Sequence, residues 1–560
     1  PYAASRNVLF VLVFIRACLL PLLAWSIGSV LGGPISRLDV GGILLGAAGY
    51  GFLSFSIEFM LKYRILLALK LGERVVHDLR EGMFSHLQQM TMSFFNGIKL
   101  GRIISRFTSD ADAVRAGMQD VLFVSLVNAG QMIVSALLML WFDWTLFLII
   151  ACMAPILWGL NRYFWIGLGR AYRAVQESFS RITGTIAESV KGVRVTQGFD
   201  RQAVNAGMFQ ELLVDHADYN MAAARASGIF MPLLEINSQF FMAILVLVGG
   251  WRVFSGAMQM ADLYQFVLIS QVFFGPIQAL GNQYNNALSS MAGAERVFHF
   301  LDTTPDWSDP PETTMISSLK GRIEFKNVDF SYNPDKPVLR DLSIIVEPGM
   351  TVALAGQTGS GKTTIVNLIS KFYLPTSGQI LIDGQDIRSI DTQSLHEHTG
   401  IVLQQNFLFS GTVMDNIRVG RPGATLEDIT EAARTLDCLS ALEALPNGLS
   451  SQIGEGGAGI SLGQRQLICF TRAMVANPGI LILDEATSSV DTVTEARIQK
   501  ALSILLKGRT SLVVAHRLST IRHADMVLVM EDGRLTERGT HAQLLRARGH
   551  YAALYRKFIS

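Results

Sequence analysis

The amino-acid sequence predicts an all-α transmembrane domain of six helices followed by an α/β domain with a largely parallel sheet. Three observations lead to this prediction. Six apolar segments, each close to the roughly 20 residues that a helix needs to cross a bilayer, precede residue 300. After residue 320, short β-branched runs alternate with helix-compatible segments. Within that second part, a glycine-rich loop begins at Gly356 between a strand pattern and a helix pattern.

The connections between the apolar segments differ in length and charge. Those around Asp39, Asp143 and Gly256 are short and carry almost no basic residues. The two long connections, 61–120 and 169–228, are rich in lysine and arginine, so the positive-inside rule predicts that they are cytoplasmic, together with both termini. We therefore expect a multi-pass protein of the inner or plasma membrane. The six segments are 8–32, 41–60, 121–142, 144–168, 229–254 and 263–280.

The long connections retain helical periodicity with interleaved charges. At about 1.5 Å per residue, such helices would extend the spans tens of ångströms beyond the headgroups. Polar breaks at 108–110 and 198–201 predict the turns at the tips of these extensions.

The organisation of the chain follows from these shifts in composition. We predict a transmembrane domain at 1–301, a linker rich in Pro, Asp and Thr at 302–319, and an α/β domain at 320–560. The mean hydropathy of +0.33 fits a membrane protein, and the net charge of +1 argues against a nucleic-acid partner. Because the chain begins at Pro1 rather than Met, we expect further residues upstream.

The glycine-rich loop fits G-x-x-x-x-G-K-[ST], the pattern of a phosphate-binding loop. Glycines let the backbone turn its N–H groups towards one anion, and the following helix adds the positive end of its dipole. Lys362 would reach the β- and γ-phosphates of ATP, and the Thr363 hydroxyl would hold Mg²⁺. The predicted ATP-binding residues are Gly356, Gln357, Thr358, Gly359, Ser360, Gly361, Lys362, Thr363 and Thr364.

A second apolar strand, residues 479–483, ends in Asp484 and Glu485. Carboxylates at this end of a parallel strand lie where open α/β sheets bind nucleotides. Asp484 would hold Mg²⁺ through water, and Glu485 would orient and polarise the attacking water. Taken alone, the pair could be two solvated acids at a strand end. Together with the phosphate-binding loop, it favours a P-loop ATPase.

Between those two motifs, Ile460-Ser461-Leu462-Gly463-Gln464 resembles the LSGGQ signature of ABC transporters. Other marks of this family match at the expected spacing. Tyr332 resembles the aromatic residue that stacks on adenine, and Gln404 the glutamine of the loop that links ATP to the membrane domain. The resemblance implies that Gln404 is a catalytic residue, with Glu485 and His516, and a ligand of Mg²⁺, with Thr363 and Asp484. His516 resembles the switch histidine that contacts the γ-phosphate, and Asp491 the aspartate of the D-loop. The resemblance covers the whole chain.

The resemblance implies an exporter-fold half-transporter that must pair with a second half-transporter. In this family, each ATP is closed between the phosphate-binding loop of one subunit and the signature of the other, which here is Ser461, Leu462, Gly463 and Gln464. Leu462 stands where the family has glycine, whereas Glu485 and His516 are intact. Heterodimeric members combine a competent base with a weakened signature in this way. We therefore favour a heterodimer over a homodimer.

Two acidic residues of the predicted spans are candidates for a substrate cavity. Charged groups at membrane depth are costly, and Glu58 and Glu235 would both lie towards the cytoplasmic leaflet. There they would favour cationic or amphipathic cargo. The alternative is that they pair with Lys62 or Arg64, or cap helix ends at the interface.

The function predicted is ATP-driven transport, most simply the export of amphipathic small molecules, lipids or peptides. Two alternatives stay open: import by the same fold, as in siderophore systems, and an ATP-gated channel or regulator. The intact Glu485 argues against a channel. Six spans exclude a soluble kinase and a nucleic-acid ATPase.

Overall fold

The computed structural model describes residues 2–484, 491–515 and 518–559, and some side chains within 153–165, 230–238, 278–285, 518–520 and 557–559, and that of residue 492, are not described. The chain forms two units by its contacts. The first comprises Pro1–His86 and Gly101–Thr303, and the second comprises Leu87–Leu100 and Thr304–Ser560.

Each of the six predicted apolar segments lies in one α-helix, except that segments 8–32 and 121–142 each extend two residues into an adjoining π-helical segment. Within the described residues, four helical stretches have the length and composition to cross a membrane: Ala3–Ile35, Val40–Gln88, Leu100–Phe142 and Met260–Leu301. The helices up to residue 301 are α1 Ala3–Val30, α2 Val40–Gln88, α3 Met92–Gly97, α4 Leu100–Ser105, α5 Ala111–Ala116, α6 Phe123–Phe142, α7 Trp144–Lys191, α8 Val193–Gly198, α9 Gln202–Phe254 and α10 Met260–Leu301. Three π-helical segments interrupt them, at Leu31–Ile35, Arg106–Asp110 and Gly117–Leu122.

Small residues bring the helices of the first unit close together. A Cβ at Gly130 of α6 would lie 2.8 Å from Cβ of Ala17 in α1, and one at Gly28 would lie 2.6 Å from Cβ of Gln265 in α10. Close approach at small residues is a usual basis of helix packing in membranes. A buried apolar cluster that includes Phe241 and Phe266 joins α6, α7, α9 and α10.

The predicted turn at 198–201 is confirmed. Helix α8 ends at Gly198, Asp200 adopts a left-handed φ of 54°, and α9 begins at Gln202. Below that turn, α7 and α9 pack side by side and share a half-buried polar contact. Ser178 Oγ lies 2.7 Å from His216 Nδ1.

The predicted turn at 108–110 is wrong, because these residues continue the helical path through Arg106–Asp110 into α5. Their hydroxyl groups bond back along the helix: Thr108 donates to the carbonyl of Ile104 at 2.9 Å, and Ser109 to that of Ser105 at 3.1 Å. Polar side chains satisfied in this way do not end a helix. The breaks lie instead on either side of α3, within the 87–100 segment that belongs to the second unit.

The second unit is an α/β domain with a mostly parallel six-stranded sheet of order β12-β11-β3-β10-β9-β6, beside a four-stranded antiparallel sheet of order β2-β1-β4-β5. Its strands are β1 Ile323–Asn333, β2 Lys336–Val346, β3 Thr351–Gly356, β4 Ser377–Ile382, β5 Gln385–Asp386, β6 Thr399–Val402, β7 Gly411–Thr412, β8 Gln452–Ile453, β9 Ile480–Asp484, β10 Thr510–Val514, β11 Met526–Glu531 and β12 Arg534–Gly539. Its helices are α11 Lys362–Ile369, α12 Thr392–Glu397, α13 Val413–Arg418, α14 Leu426–Thr435, α15 Leu439–Glu443, α16 Leu462–Ala476, α17 Thr492–Leu506, α18 Leu518–His523, α19 His541–Ala547 and α20 His550–Ile559.

The parallel sheet is buried on both faces, which explains its uninterrupted apolar strands. In β3, residues 352–355 are all buried, and in β10 every residue is. Strand β10 pairs with β3 and β9 in parallel, with Val514 opposite both Leu354 and Asp484. The carboxyl ends of β3 and β9 therefore lie at the same edge of the sheet, one strand apart.

The residues that lead into the α/β domain pack on it. Thr314 forms a parallel bridge with Ile390, and the Asp309 carboxylate accepts the backbone N–H of Thr392 at 2.9 Å. The Nζ of the buried Lys371 donates to Asp309 Oδ1 at 2.7 Å and lies 5.6 Å from the centre of the Trp307 ring. These contacts attach residues 304–314 to the second unit.

Candidate nucleotide-binding site

The predicted phosphate-binding loop connects β3 to α11, and its glycines are needed where they stand. Gly361 has a φ of 100°, and a Cβ there would lie 2.7 Å from Leu339 Cδ2. Gly356 has a φ of 150°, and a Cβ there would lie 2.3 Å from the carbonyl oxygen of Met530. Neither position has room for a side chain. Because glycine tolerates these positive φ values, the backbone can turn its amides towards one point at the N-terminus of α11.

Lys362 is the first residue of α11 and is buried. Its Nζ donates to two carbonyls of its own loop, Gly356 at 2.9 Å and Gln357 at 2.8 Å. Burial lowers the pKa of Lys362, and the charge of Asp484 partly offsets this effect. The ammonium is thus held inside the loop, where phosphate oxygens would be stronger acceptors than the carbonyls.

Three predicted Mg²⁺ ligands lie at the edge of the sheet where the phosphate-binding loop begins. Thr363 is exposed on the first turn of α11, Asp484 ends β9, and Gln404 follows β6. Gln404 and Asp484 line the same cavity, beside Gln466 of α16. A hydroxyl, an amide oxygen and a carboxylate are oxygen ligands of the kind that Mg²⁺ prefers. The donor set therefore fits Mg²⁺.

The predicted catalytic base Glu485 and switch histidine His516 lie outside the described residues, as does the part of the D-loop before Asp491. Asp491 itself caps α17 by accepting the N–H of Thr494 at 2.9 Å. This backbone hydrogen bond lowers the pKa of Asp491.

Tyr332 lies near the end of β1 and is half exposed. Its hydroxyl is 3.2 Å from the Thr364 hydroxyl and accepts from Asn367 Nδ2 at 3.0 Å. These contacts tie the aromatic ring to α11, directly behind the phosphate-binding loop. A ring fixed at this position suits stacking on a nucleotide base.

An aromatic neighbour of Tyr332 was not predicted. The ring of Tyr373 lies 5.0 Å from that of Tyr332, edge to face, and its hydroxyl accepts from Asn96 Nδ2 at 2.7 Å. Asn96 belongs to α3, so Tyr332, the residue predicted to stack on the base, is one aromatic contact from the segment that joins α2 to α4. Nothing in the sequence pattern marks Asn96 or Tyr373, because they are 277 positions apart.

The signature residues form the start of α16. Ser461 is the N-cap: its Oγ accepts the N–H of Gln464 at 3.3 Å, and Gln464 Oε1 accepts the N–H of Ser461 at 3.1 Å. This capping box stabilises the first turn. Leu462 is the first helical residue and is 40% exposed, whereas Gly463 is buried.

The loop before the signature is held by Arg465, which sequence reasoning did not single out. Its Nε donates to the carbonyl of Ile460 and its Nη1 to that of Gly456, both at 3.1 Å. Gly457, at a φ of 87°, leaves room for this side chain, since a Cβ there would lie 2.9 Å from Arg465 Nε. The position of Arg465, directly after the signature glutamine Gln464, was the feature of the sequence that could have indicated this role.

The two acidic candidates of the membrane unit have different outcomes. Glu58 is exposed on α2, and in the described part of the chain it forms no ion pair with Lys62 or Arg64. Its charge acts on Arg16 of α1. Glu235 lies in α9, but its side chain is outside the described residues.

Two family models match the chain. The model of the ABC transporter transmembrane region matches residues 7–277, and the model named ABC transporter matches residues 339–488. A fatty acid ABC transporter ATP-binding/permease protein of Mycobacterium bovis is 38% identical over 86% of this chain and 76% of its own length.

An ATP-dependent lipid A-core flippase of Syntrophus aciditrophicus is 35% identical over 88% of this chain and 82% of its own length. Among solved structures, that of a bacterial Atm1-family ABC exporter with ATP bound has a TM-score of 0.80 and 25% sequence identity. It covers 100% of this chain and 99% of its own. The predicted order of a helical membrane region and an α/β ATPase domain is thereby confirmed.

Proposed function

This chain belongs to the ABC exporters in which a transmembrane region and an ATPase domain are fused, and we propose that its cargo is a lipid or another amphipathic molecule. Its ATPase activity is coupled to transport. Two relatives carry names that specify fatty acid and lipid A-core as cargo, which supports a lipid cargo here. The observation that carries the function most directly is the buried Lys362 inside a complete phosphate-binding loop.

In the proposed reaction, oxygens of the β- and γ-phosphates of ATP replace the loop carbonyls as acceptors of the Lys362 hydrogen bonds, and Tyr332 stacks on the base. Mg²⁺ would be held by Thr363, Gln404 and Asp484, and when bound it neutralises charge on the phosphate oxygens. Glu485 orients the attacking water, and His516 contacts the γ-phosphate. Because phosphoryl transfer depends mainly on positioning and charge, these few groups are this chain's contribution to hydrolysis.

The site becomes complete only with a second subunit. We propose that Ser461, Gly463 and Gln464 contact the ATP held by the partner subunit, at the N-terminus of α16. The side chain of Leu462 stands at the first helical residue, next to that contact. This position supports a heterodimer, in which this chain supplies the catalytic base and a weaker signature.

The proposed orientation has both termini and the ATPase domain in the cytoplasm. The support is the distribution of basic residues, which concentrate in 61–120 and 169–228 and avoid the short connections. Glu58 and Glu235 are proposed to line the cargo cavity near the cytoplasmic leaflet.

The test is ATP hydrolysis by the full chain in lipid nanodiscs, measured beside its oligomeric state, with Glu485→Gln as the paired variant. Robust activity from a homodimer that is lost in Glu485→Gln would support Glu485 as the base and refute the need for a different partner. Weak activity from a folded dimer, restored by a second half-transporter, would support the heterodimer. Equal activity in Glu485→Gln would refute the assigned base.

A further inference from the structure

Two arginines of the membrane unit lie among its helices without a hydrogen-bonding partner. Arg16 is on α1, and Arg64 is on α2, where it is only 8% exposed. Within the described residues, neither guanidinium forms a hydrogen bond or an ion pair, and the Nε of each is shielded from solvent. A buried N–H group without an acceptor is costly, and such groups in native proteins call for an explanation.

The two arginines come to nearly the same depth in the membrane unit. Gly46 of α2 packs on Val30 of α1, where a Cβ would lie 2.4 Å from Val30 Cγ2. Arg16 lies fourteen residues before Val30, and fourteen residues after Gly46 the returning helix α2 reaches Met60, about one turn from Arg64. Near this depth the two helices are in contact, because Val13 of α1 and Ala68 of α2 belong to one buried apolar cluster.

Their depth corresponds to an edge of the bilayer. At about 1.5 Å per residue, Arg16 lies roughly 21 Å along α1 from Val30, in a hydrocarbon layer about 30 Å thick. Arg64 lies further still from the short turn between α1 and α2. Both guanidiniums are therefore near the boundary on the side away from that turn, where lipid headgroups meet acyl chains. Charged groups at such positions are retained mainly for function.

The nearby acids do not satisfy these arginines. The charge of Glu58 acts on Arg16, and that of Asp120, in the π-helical segment Gly117–Leu122, acts on Arg64. Both acids are exposed, and neither is within ion-pair distance of an arginine in the part of the chain that the structure describes. Within the part of the chain that the structure describes, the shielded Nε–H of each arginine consequently still lacks an acceptor. An anionic ligand would supply one.

Exposed apolar side chains lie on the same two helices, one to five residues along the chain from the arginines. Phe14 of α1 is 71% exposed, and Phe59 and Tyr63 of α2 are 50% and 42% exposed. The rings of Phe59 and Tyr63 lie 4.7 Å apart and form one aromatic patch. A charged pair next to exposed apolar side chains matches a molecule with an anionic head and an apolar tail.

We propose that Arg16 and Arg64 form a binding subsite for the anionic headgroup of an amphiphile, either a carboxylate or a phosphate. Guanidinium groups bind both anions in bidentate geometry, which a single exposed lysine does not. The exposed residues Phe14, Phe59 and Tyr63 contact the tail. The inference rests on the proposed transport of amphipathic cargo and narrows that cargo to anionic molecules.

The test uses the full chain in phosphatidylcholine nanodiscs and measures the binding of three labelled probes: oleate, phosphatidate and the uncharged oleyl alcohol. The variants are Arg16→Gln, Arg64→Gln and Arg64→Lys, and the matched control is Arg74→Gln, an exposed arginine further along α2. We expect each Gln change at Arg16 or Arg64 to weaken binding of the anionic probe at least tenfold, with no change for oleyl alcohol or in the control. Arg64→Lys should restore part of the affinity.

The probes also separate the two sources of the anion. Binding of oleate alone identifies a carboxylate, binding of phosphatidate alone identifies a phosphate, and binding of both shows that charge alone is recognised. Unchanged anion binding in both Gln variants would overturn the proposal, as would an equal loss of oleyl alcohol binding.

Thermal unfolding distinguishes a ligand site from a structural role. Without an amphiphile, Arg64→Gln removes a buried unpaired charge, so its melting temperature should equal or exceed that of the wild type. A lower melting temperature in both Arg64→Gln and Arg64→Lys would assign Arg64 to the fold and overturn the proposal. A wild type that hydrolyses ATP but shows no preference for anions refutes only this inference, whereas a folded dimer that hydrolyses no ATP, either alone or with a second half-transporter, refutes the proposed function.

Discussion

Replacing Asp309 with Asn should destabilise the nucleotide-binding unit by about 3 kcal/mol, because it leaves a charge buried without its counter-charge. The Lys371 side chain is 1% exposed, and its Nζ donates to Asp309 Oδ1 at 2.7 Å and to the carbonyl of Ile390. Removing one partner of such a pair costs more than removing both, since the remaining ammonium keeps its full desolvation penalty.

The magnitude follows from the exposure of the two partners. Breaking a buried ion pair costs about 3–5 kcal/mol, and the lower end applies here because the Asp309 side chain is 28% exposed and water can partly screen the loss. In a domain of this size, each kcal/mol lowers the melting temperature by about 2–4 °C, so we expect a fall of about 6–12 °C. The double variant Asp309→Asn/Lys371→Met should recover most of this loss.

The assay uses the buried cysteines of this unit as reporters. Cys438 and Cys469 are buried, and substituting Cys18 and Cys152 with serine removes the other two thiols. A thiol-reactive dye then reports the unfolding of the nucleotide-binding unit within the full chain. The matched control is Asp437→Asn, which breaks a 2.6 Å ion pair with Lys500 on the surface and should shift the midpoint by about 1 °C or less. An equal shift in Asp309→Asn and Asp437→Asn would refute the reasoning.

The ion pair between Asp309 and Lys371 also makes the stability of the nucleotide-binding unit depend on pH. Burial by itself would raise the pKa of Asp309, but hydrogen bonds from Lys371 and Thr392 and the charge of Lys371 bring it below its usual value. A carboxyl group with a lowered pKa adds stability above its unfolded pKa, and that stability is lost as the pH falls through the folded pKa. The wild type should therefore lose more stability than Asp309→Asn as the pH falls from 5 towards 3.

Three further predictions concern the nucleotide site. Leu462→Gly should raise the ATPase rate of the chain alone about tenfold, which corresponds to one charge-assisted hydrogen bond to phosphate. The assay is phosphate release, and an unchanged rate in a folded dimer would contradict an inhibitory effect of Leu462. Tyr332→Ala should weaken binding of a fluorescent ATP analogue about tenfold while Tyr332→Phe retains it, and equal losses would show that the hydroxyl rather than the ring matters. Gly361→Ala should abolish ATP binding, whereas Gly349→Ala, at a similar positive φ with open space around it, should not.

Much of the fold could be predicted because its signals are local. A run of about 20 apolar residues, enough to cross a bilayer as a helix, specifies a spanning helix whatever its neighbours are, and each of the six runs is helical throughout. The turn at 108–110 failed for an equally local reason. Thr108 and Ser109 can satisfy their hydroxyls within a helix, and composition alone does not separate that arrangement from a loop.

In the candidate site, too, some contacts could be predicted from local signals and others could not. Lys362 and Asp484 are 122 positions apart, yet the parallel sheet brings their strands to one edge, so motif and topology together predicted their proximity. Asp309 with Lys371, and Asn96 with Tyr373, carry no motif. Their contacts arise only when distant segments pack together, and no periodicity along the chain records such pairing.

The phosphate-binding half of the site is built without help from the signature. The glycines of the loop already have the left-handed backbone that the turn requires, and Lys362 is already held inside by two carbonyls. Ordering this loop therefore costs little free energy when ATP binds. In the proposed dimer, the free energy of contact with the partner's α16 remains available to close the subunits. In that proposal, the residue at position 462 affects the free energy of this contact, which the Leu462→Gly variant measures.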